Sequence, residues 1–213
     1  MVSRHTDGWL DRVFQAGDRA EQVRNYDNWA ATYDADMLGV GYLTPAVVVG
    51  LLNRAVAPAA GPVLDAGCGT GLVGEILHVL GYGPLLGVDM SEGMLDRARA
   101  RGVYASLTRA VLGETLDFAS GSCAACFATG MFTAGHAPAS SLDELVRVTR
   151  PGGHIAFNVG EQAWIAGGFK DKLEALAEAG RWRLLASSHP YRPMPLSAAD
   201  GHLTAQAFLF EVA

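Results

Sequence analysis

The stretch VLDAGCGTG, residues 63–71, constrains the fold more than any other part of this chain. A short apolar run reaches an aspartate, glycines follow at 67, 69 and 71, and an apolar helical segment, LVGEILHVLG, begins at once. Apolar strand, glycine turn and helix together open a βαβ unit. The turn lets backbone approach a ligand at the helix N-terminus. Such turns usually cradle phosphate, yet Asp65 stands where an anion would be repelled.

From residue 62 onward strand and helix alternate. PLLGVDM is a second buried strand, and SEGMLDRARARG a helix capped by Ser91 with Glu92 in its first turn. YASLTRAVL and AACFATG read as the third and fourth strands. Ser141 and Glu144 suit a capping box for a helix running to Arg150, where Pro151-Gly152-Gly153 stops it, and HIAFNVG is the fifth strand. After helix KDKLEALAEAG come WRLLASS and LTAQAFLFEV with only the turn-rich HPYRPMPLSAADGH between them. Two strands without a crossover helix pair antiparallel, so the sheet is predicted to end in a hairpin. Repeated βα units bury both faces of their strands, which gives a mostly parallel, helix-covered sheet. Ligands on such sheets bind beyond the strand carboxyl ends, where Asp65 and its glycines lie.

Upstream, residues 9–40 read as helical and then turn-like, with Tyr26, Trp29, Ala30, Tyr33 and Met37 at helical spacing. Thr44 before Pro45 predicts a capped helix start for the apolar AVVVGLLNRAV. This divides the chain into a helical cap over 1–43 and a ligand-binding domain over 44–213.

Several function classes fall away on composition. With 213 residues and half of them apolar, the chain can bury a sizeable core. Its net charge of −6 comes with scattered Lys and Arg, which argues against nucleic acid and against a membrane surface. No secretory h-region opens the sequence, and AVVVGLL, the longest greasy run, is broken by Asn53 and Arg54. Cys68, Cys123 and Cys126 are too few for a disulfide scaffold, so a reducing cytoplasm is the expected compartment. Cys123-x-x-Cys126 has no second pair and lies in an apolar extended segment. Its members are expected in the core, on opposite strand faces. No histidine shows metal-ligand spacing, so no metal is expected.

The ligand follows from charge. Asp89 ends the second strand 18 residues after Gly71, placed to accept from two ribose hydroxyls. A dinucleotide would set its diphosphate beside Asp65, where like charges cost roughly 1–4 kcal/mol. S-adenosylmethionine instead brings an ammonium and a sulfonium, which a carboxylate attracts. The third glycine also comes one residue early for the dinucleotide fingerprint G-x-G-x-x-G.

VLDAGCGTG, GVDMSEGMLDRARARG and LVRVTRPGGHIAF resemble the class I S-adenosylmethionine-dependent methyltransferases, over roughly residues 22–213. YDNWAATYDADMLGVGYLTP and LTRAVLGETLDF are further similar to the methyltransferase-like subfamily named after the Williams–Beuren syndrome region. The resemblance implies a Rossmann-like α/β three-layer sandwich. Its seven-stranded, mostly parallel sheet would have order 3-2-1-4-5-7-6 with the last strand antiparallel, beneath an N-terminal helical lid. It implies that Asp65, Gly67 and Gly69, with Cys68 between the glycines, face the methionine end of the cofactor. Asp89 would hold the ribose, Met90 would pack on adenine, and Thr129 would line the methionine side. Many relatives bind the adenine amine with an aspartate after the third strand. Val111 and Leu112 stand there instead, so backbone must contact the base. Tyr26 and Tyr33 would reach the carboxylate or sulfonium side from the lid, where an aromatic face attracts a cation.

Methyl transfer from a sulfonium is an in-line displacement that needs alignment and desolvation, and a base only where the acceptor must lose a proton. His136, after the fourth strand, is the candidate base. Tyr33, His136, His189 and Tyr191 are the candidates for the substrate pocket. ATGMF replaces the Asn-Pro-Pro-Tyr type of motif that orients planar amines, which again turns the reading from nucleic acid toward a small, partly apolar acceptor. Two rivals remain: a nicotinamide-dependent oxidoreductase on the same fold, and a cofactor-binding partner protein that does not catalyse. The pattern assigns no oligomeric state.

Overall fold

The computed structural model describes residues 7–213, so the first six residues of the expected 1–43 segment lie outside it. Three helices come first: α1 (Asp7–Phe14), α2 (Arg19–Trp29) and α3 (Tyr33–Gly39). Then α4 (Thr44–Leu52) leads into β1 (Val63–Ala66), α5 (Leu72–Val79), β2 (Leu85–Asp89), α6 (Glu92–Arg101) and β3 (Ser106–Arg109). The remainder is β4 (Cys123–Phe132), α7 (Ser141–Val148), β5 (Thr149–Gly160), α8 (Glu161–Ala166), α9 (Phe169–Glu178), β6 (Trp182–Ser187) and β7 (Ala205–Val212).

The strands form one sheet in the order β3-β2-β1-β4-β5-β7-β6. All neighbours are parallel except β7, which runs antiparallel to both β5 and β6. The predicted order and terminal hairpin are therefore observed. Side chains alternate between two cores. Leu64, Cys126 and Phe157 pack with α7 and α9, while Val63, Phe127 and Leu209 pack with α4 and α5. On the first side Trp182 stacks on Phe210 at 4.0 Å between ring centroids, and each such ring contributes roughly 1.5–3 kcal/mol by burial.

Local signals held where a polar side chain had a single job. Ser91 Oγ accepts from Met94 N at 3.1 Å, and Gly102, left-handed at φ 67°, ends α6. Two predicted caps are different. Thr44 lies inside α4 after the cap residue Leu43, and its hydroxyl accepts from Tyr191. Glu144 turns away from its own helix start to bind Leu116 N and the Arg147 guanidinium, leaving Ser141 Oγ buried without a partner.

Helix α7 also stops two residues early. Thr149 is already extended, with its hydroxyl donating to Leu145 O at 2.7 Å, so the chain passes directly into β5. Strand β3 is shorter than expected because it is an exposed edge strand with one neighbour. The two strand cysteines do not point to opposite faces. A bulge between Cys123 and Ala125 shifts the register, and both thiols enter the same core.

Candidate functional site

The glycine turn is held by backbone. Gly67 N and Cys68 N both donate to Val88 O, at 2.8 and 2.9 Å, which ties the turn to the end of β2. Gly67, Gly69 and Gly71 have φ of 85°, 52° and 82°, the left-handed region that side chains disfavour. At Gly67 a Cβ would also fall 2.2 Å from Met131 Sδ. Asp89 completes the turn: Oδ2 accepts from Gly69 N at 2.8 Å and Oδ1 from Ser91 N at 2.9 Å. Burial raises its pKa from the ordinary carboxylate range, against the lowering effect of those amides.

Asp65 lies one layer deeper. It is 1% exposed; Oδ2 accepts from the Tyr104 hydroxyl at 2.6 Å, and Oδ1 has no protein partner. Burial pushes its carboxyl up to about 7, with Asp89 adding to the effect and the Tyr104 bond opposing it. An unpartnered buried carboxylate oxygen beneath a ligand turn is a place for a cation. Cys68 is likewise beneath the turn, packed on Leu95 and Ala98, and burial pushes its thiol up.

The N-terminal helices are fastened over this turn by two aspartates. Asp27 of α2 accepts from Ser91 Oγ at 2.6 Å and Gly93 N at 2.9 Å, at the start of α6. Asp34 of α3 accepts from Thr70 Oγ1 at 2.5 Å and pairs with the Arg101 guanidinium. Within this cap Trp29 is core, 1% exposed and bonded through Nε1 to Asp36. Its stripe neighbours Tyr26 and Tyr33 are half-buried instead and pack against it at ring distances of 6.1 and 4.7 Å.

A cavity of about 520 Å³ opens between turn, cap and the β6–β7 loop. The structure brings Tyr26, Tyr33, Gly67, Gly69, Asp89, Met90, Thr129 and His136 to its walls. Val111 and Leu112 line an adjoining space of about 60 Å³, which shares Gly67, Asp89 and Met90 with the larger one. Asp65 and Cys68 lie beneath and not on the walls. His189 is exposed outside the cavity, and Tyr191 is turned to Thr44, bonding at 3.2 Å. Neither reaches the lining, because the loop that carries them presents Pro193, Met194 and Leu203 instead.

Sequence reasoning missed Tyr42, Thr133 and Asn158. The Tyr42 hydroxyl fits only because position 130 is a left-handed glycine, where a Cβ would be 2.6 Å away. Asn158 Oδ1 accepts from Gly130 N at 2.8 Å and shapes the same corner. A polar Asn inside the otherwise apolar HIAFNVG was the available signal. Burial raises the pKa values of Tyr26, Tyr33 and Tyr42, so three neutral phenols line the cavity, Tyr26 and Tyr33 near Asp89.

These residues fit S-adenosylmethionine. The Asp89 carboxylate, on the cavity wall, has lone pairs left to accept from a ribose, Asp65 Oδ1 is orphaned below, and ligand pockets of roughly 300–1,000 Å³ span the observed volume. A methyltransferase domain family model matches residues 64–157. Human methyltransferase-like protein 27 is 36% identical over 177 residues, covering 80% of this chain and 71% of that protein. Among solved structures, the complex between the Haloferax volcanii Trm112 methyltransferase activator and a methyltransferase aligns with TM-score 0.65. It has 18% identity and covers 88% of this chain and 97% of that one. Geranyl diphosphate C-methyltransferase from Streptomyces coelicolor, solved with Mg²⁺, geranyl diphosphate and S-adenosylhomocysteine, aligns with TM-score 0.62. It has 15% identity and covers 94% and 87% of the two chains. Both structural likenesses are likenesses of fold.

Proposed function

The chain belongs to the class I S-adenosylmethionine-dependent methyltransferases, and from that premise we propose that it methylates a small, partly apolar acceptor by in-line transfer. One observation carries the acceptor class. Beyond the cofactor turn the cavity wall includes an apolar cluster of Leu10, Met37, Met194 and Leu203, beside Glu161, Asp200 and His202, with no Lys or Arg among the described lining residues. A polyanion such as nucleic acid needs the opposite lining. The free cysteines suit a reducing cytoplasm.

When bound, the cofactor supplies a methyl group already activated on a sulfonium. The protein's part is alignment and dryness. Asp89 would hold the nucleoside end at the glycine turn, and Asp65 would offer its orphaned oxygen toward the ammonium. Met90, with Val111 and Leu112 across the smaller space, is the proposed adenine clamp. Thr129 and the phenols of Tyr26 and Tyr33, on the cavity wall, would face the sulfonium. The helices over residues 7–43 act as the cap that excludes water, fastened by Asp27 and Asp34.

Calorimetric titration tests the cofactor end: S-adenosylhomocysteine is expected to bind, and NADH not. Incubation with labelled S-adenosylmethionine and a cell extract tests the acceptor end. Label is expected in the small-molecule fraction, and label confined to RNA or protein would overturn the reading.

A further inference from the structure

Tyr26 and His136 face the cavity as a bonded pair, with 2.7 Å between the phenol oxygen and Nε2. The other ring nitrogen, Nδ1, lies 3.1 Å from Ala134 O and 3.0 Å from Thr133 Oγ1. A carbonyl oxygen only accepts, so the neutral imidazole carries its proton on Nδ1 and Nε2 is the acceptor. Tyr26 therefore donates its hydroxyl proton to His136, and its oxygen turns lone pairs toward the cavity. Around the pair stand Asp89 from β2 and the phenols of Tyr33 and Tyr42. On the smaller cavity's side stands Arg19, itself paired with Glu114. Burial holds His136 below its ordinary range and Tyr26 above, so both are uncharged at neutral pH.

The geometry points to a proton relay through Tyr26 to His136, and so to a neutral hydroxyl on an apolar frame as the methyl acceptor. This rests on the methyl-transfer reading above. The acceptor O–H donates to Tyr26 Oη. As the acceptor oxygen bonds to the methyl carbon and the S–CH₃ bond breaks, its proton passes to Oη while the proton of Tyr26 passes to His136 Nε2. The electron pair of the broken bond stays on sulfur, which becomes a neutral thioether. The product is a methyl ether, and the positive charge ends on the His136 imidazolium, whose Nδ1–H remains bonded to Ala134 O. Tyr26 touches the acceptor; His136 acts through it.

Other acceptors suit these atoms less. A carboxylate would set its lone pairs against those of Tyr26, with no Lys or Arg on the main cavity's described walls to offset the charge and Arg19 of the smaller space already paired with Glu114. A neutral amine attacks with its own lone pair and sheds its proton afterwards, so it needs no relay.

The test uses the full chain with methyl-tritiated S-adenosylmethionine and a metabolite extract. The labelled product is expected to survive alkali and to pass through a cation exchanger, as an ether does. An alkali-labile ester or a retained base overturns the relay and leaves methyl transfer standing. No labelled small molecule at all, with S-adenosylhomocysteine still bound, overturns the methyl-transfer reading itself.

On the fraction that accepts label, Tyr26→Phe and His136→Gln are each expected to slow transfer roughly 10²–10⁴-fold. The wild-type rate falls on the acid side as His136 protonates. His136→Gln loses that limb and its rate climbs into the alkaline range, where the acceptor ionises unaided. An equal loss at every pH marks a packing role and overturns the relay. Independently of any acceptor, the ¹⁵N shifts of His136 are expected to show a protonated Nδ1 and a bare Nε2; the reverse tautomer overturns it.

Discussion

The two ends of the main cavity are built by different means. At the glycine turn the walls are backbone and carboxylate: Gly67 and Gly69 with Asp89, all from β1, β2 and the segments directly after them. At the far end the walls are side chains from α1 and α3 and, more than 150 positions later at Pro193 and Met194, from the β6–β7 loop. The first end depends on where the chain can turn, and the second on which rings and methyl groups meet. A backbone site tolerates few changes and specifies one cofactor, whereas a side-chain site can be re-lined for another acceptor while the fold stays the same.

The largest effect is therefore expected at the backbone end. Asp89→Ala removes the acceptors for Gly69 N and Ser91 N, bonds to a charged group worth roughly 1.5–3 kcal/mol each. S-adenosylhomocysteine should bind at least about 100-fold more weakly by calorimetry. An affinity within threefold of wild type would mean that the turn holds itself and that the contrast between the two ends is false.

Asp65→Asn separates charge from shape at the same end. Its folded-state pKa of about 7 stands above the ordinary carboxylate value of 3.8, so folding favours the protonated form. The stability this contributes is complete below about pH 4 and is lost as pH rises through 7. Asparagine cannot ionise and still accepts from Tyr104. The ligand-free variant should therefore match wild type near pH 4 and melt higher at pH 8, by roughly 2–4 °C for each kcal/mol relieved. Cofactor binding should move the other way and weaken about tenfold, as expected for a charged partner lost at this depth. Wild-type affinity in the variant would place the cofactor's ammonium elsewhere.

The same contrast explains what the sequence made legible. VLDAGCGTG and Asp89 could be read because period, glycine and strand end fix backbone within a few residues; alternation implied a mostly parallel sheet ending in a hairpin, and the strand order itself came only with the family resemblance. Thr44 and Glu144 were misread because the hydroxyl of one and the carboxylate of the other found distant partners, Tyr191 and Leu116 N, that outcompeted the local cap, while Ser141 Oγ is buried with no partner among the described residues. The Cys123 bulge was invisible because it depends on register against β5. Tyr42 over Gly130, and Tyr26 on His136, are pairings across 88 and 110 residues that no local pattern encodes.

The fastening between the two ends should give a smaller effect. Asp34→Ala breaks the bond from Thr70, which joins α3 to the glycine turn, and the pairing with Arg101, which joins it to the end of α6. The Asp34 side chain is 43% exposed, so solvent screens much of the charge and the net loss should be about 1 kcal/mol. Cofactor affinity should fall about fivefold, and the deficit should shrink in high salt. A loss as large as that of Asp89→Ala would make the cap part of the cofactor site and dissolve the distinction between the two ends.

The smallest effect is expected just outside the side-chain end. Tyr191 resembles a substrate residue by its place in the hairpin loop, but its hydroxyl is spent on Thr44 at 3.2 Å and its ring packs on the α4 side of the sheet. Burial pushes its phenol up to about 12, so it carries no charge at neutral pH. Tyr191→Phe keeps the ring and removes one neutral bond, worth about 1 kcal/mol or less. Thr44 Oγ1, fully buried, loses its donor, so the cost should appear as a lower melting temperature and not as a change in cofactor affinity or in the transfer rate. A clear fall in transfer at unchanged stability would show that the loop swings inward when the acceptor binds, with Tyr191 exchanging Thr44 for the acceptor. The far end would then be completed by its ligand, in contrast to a glycine turn already built before the cofactor arrives.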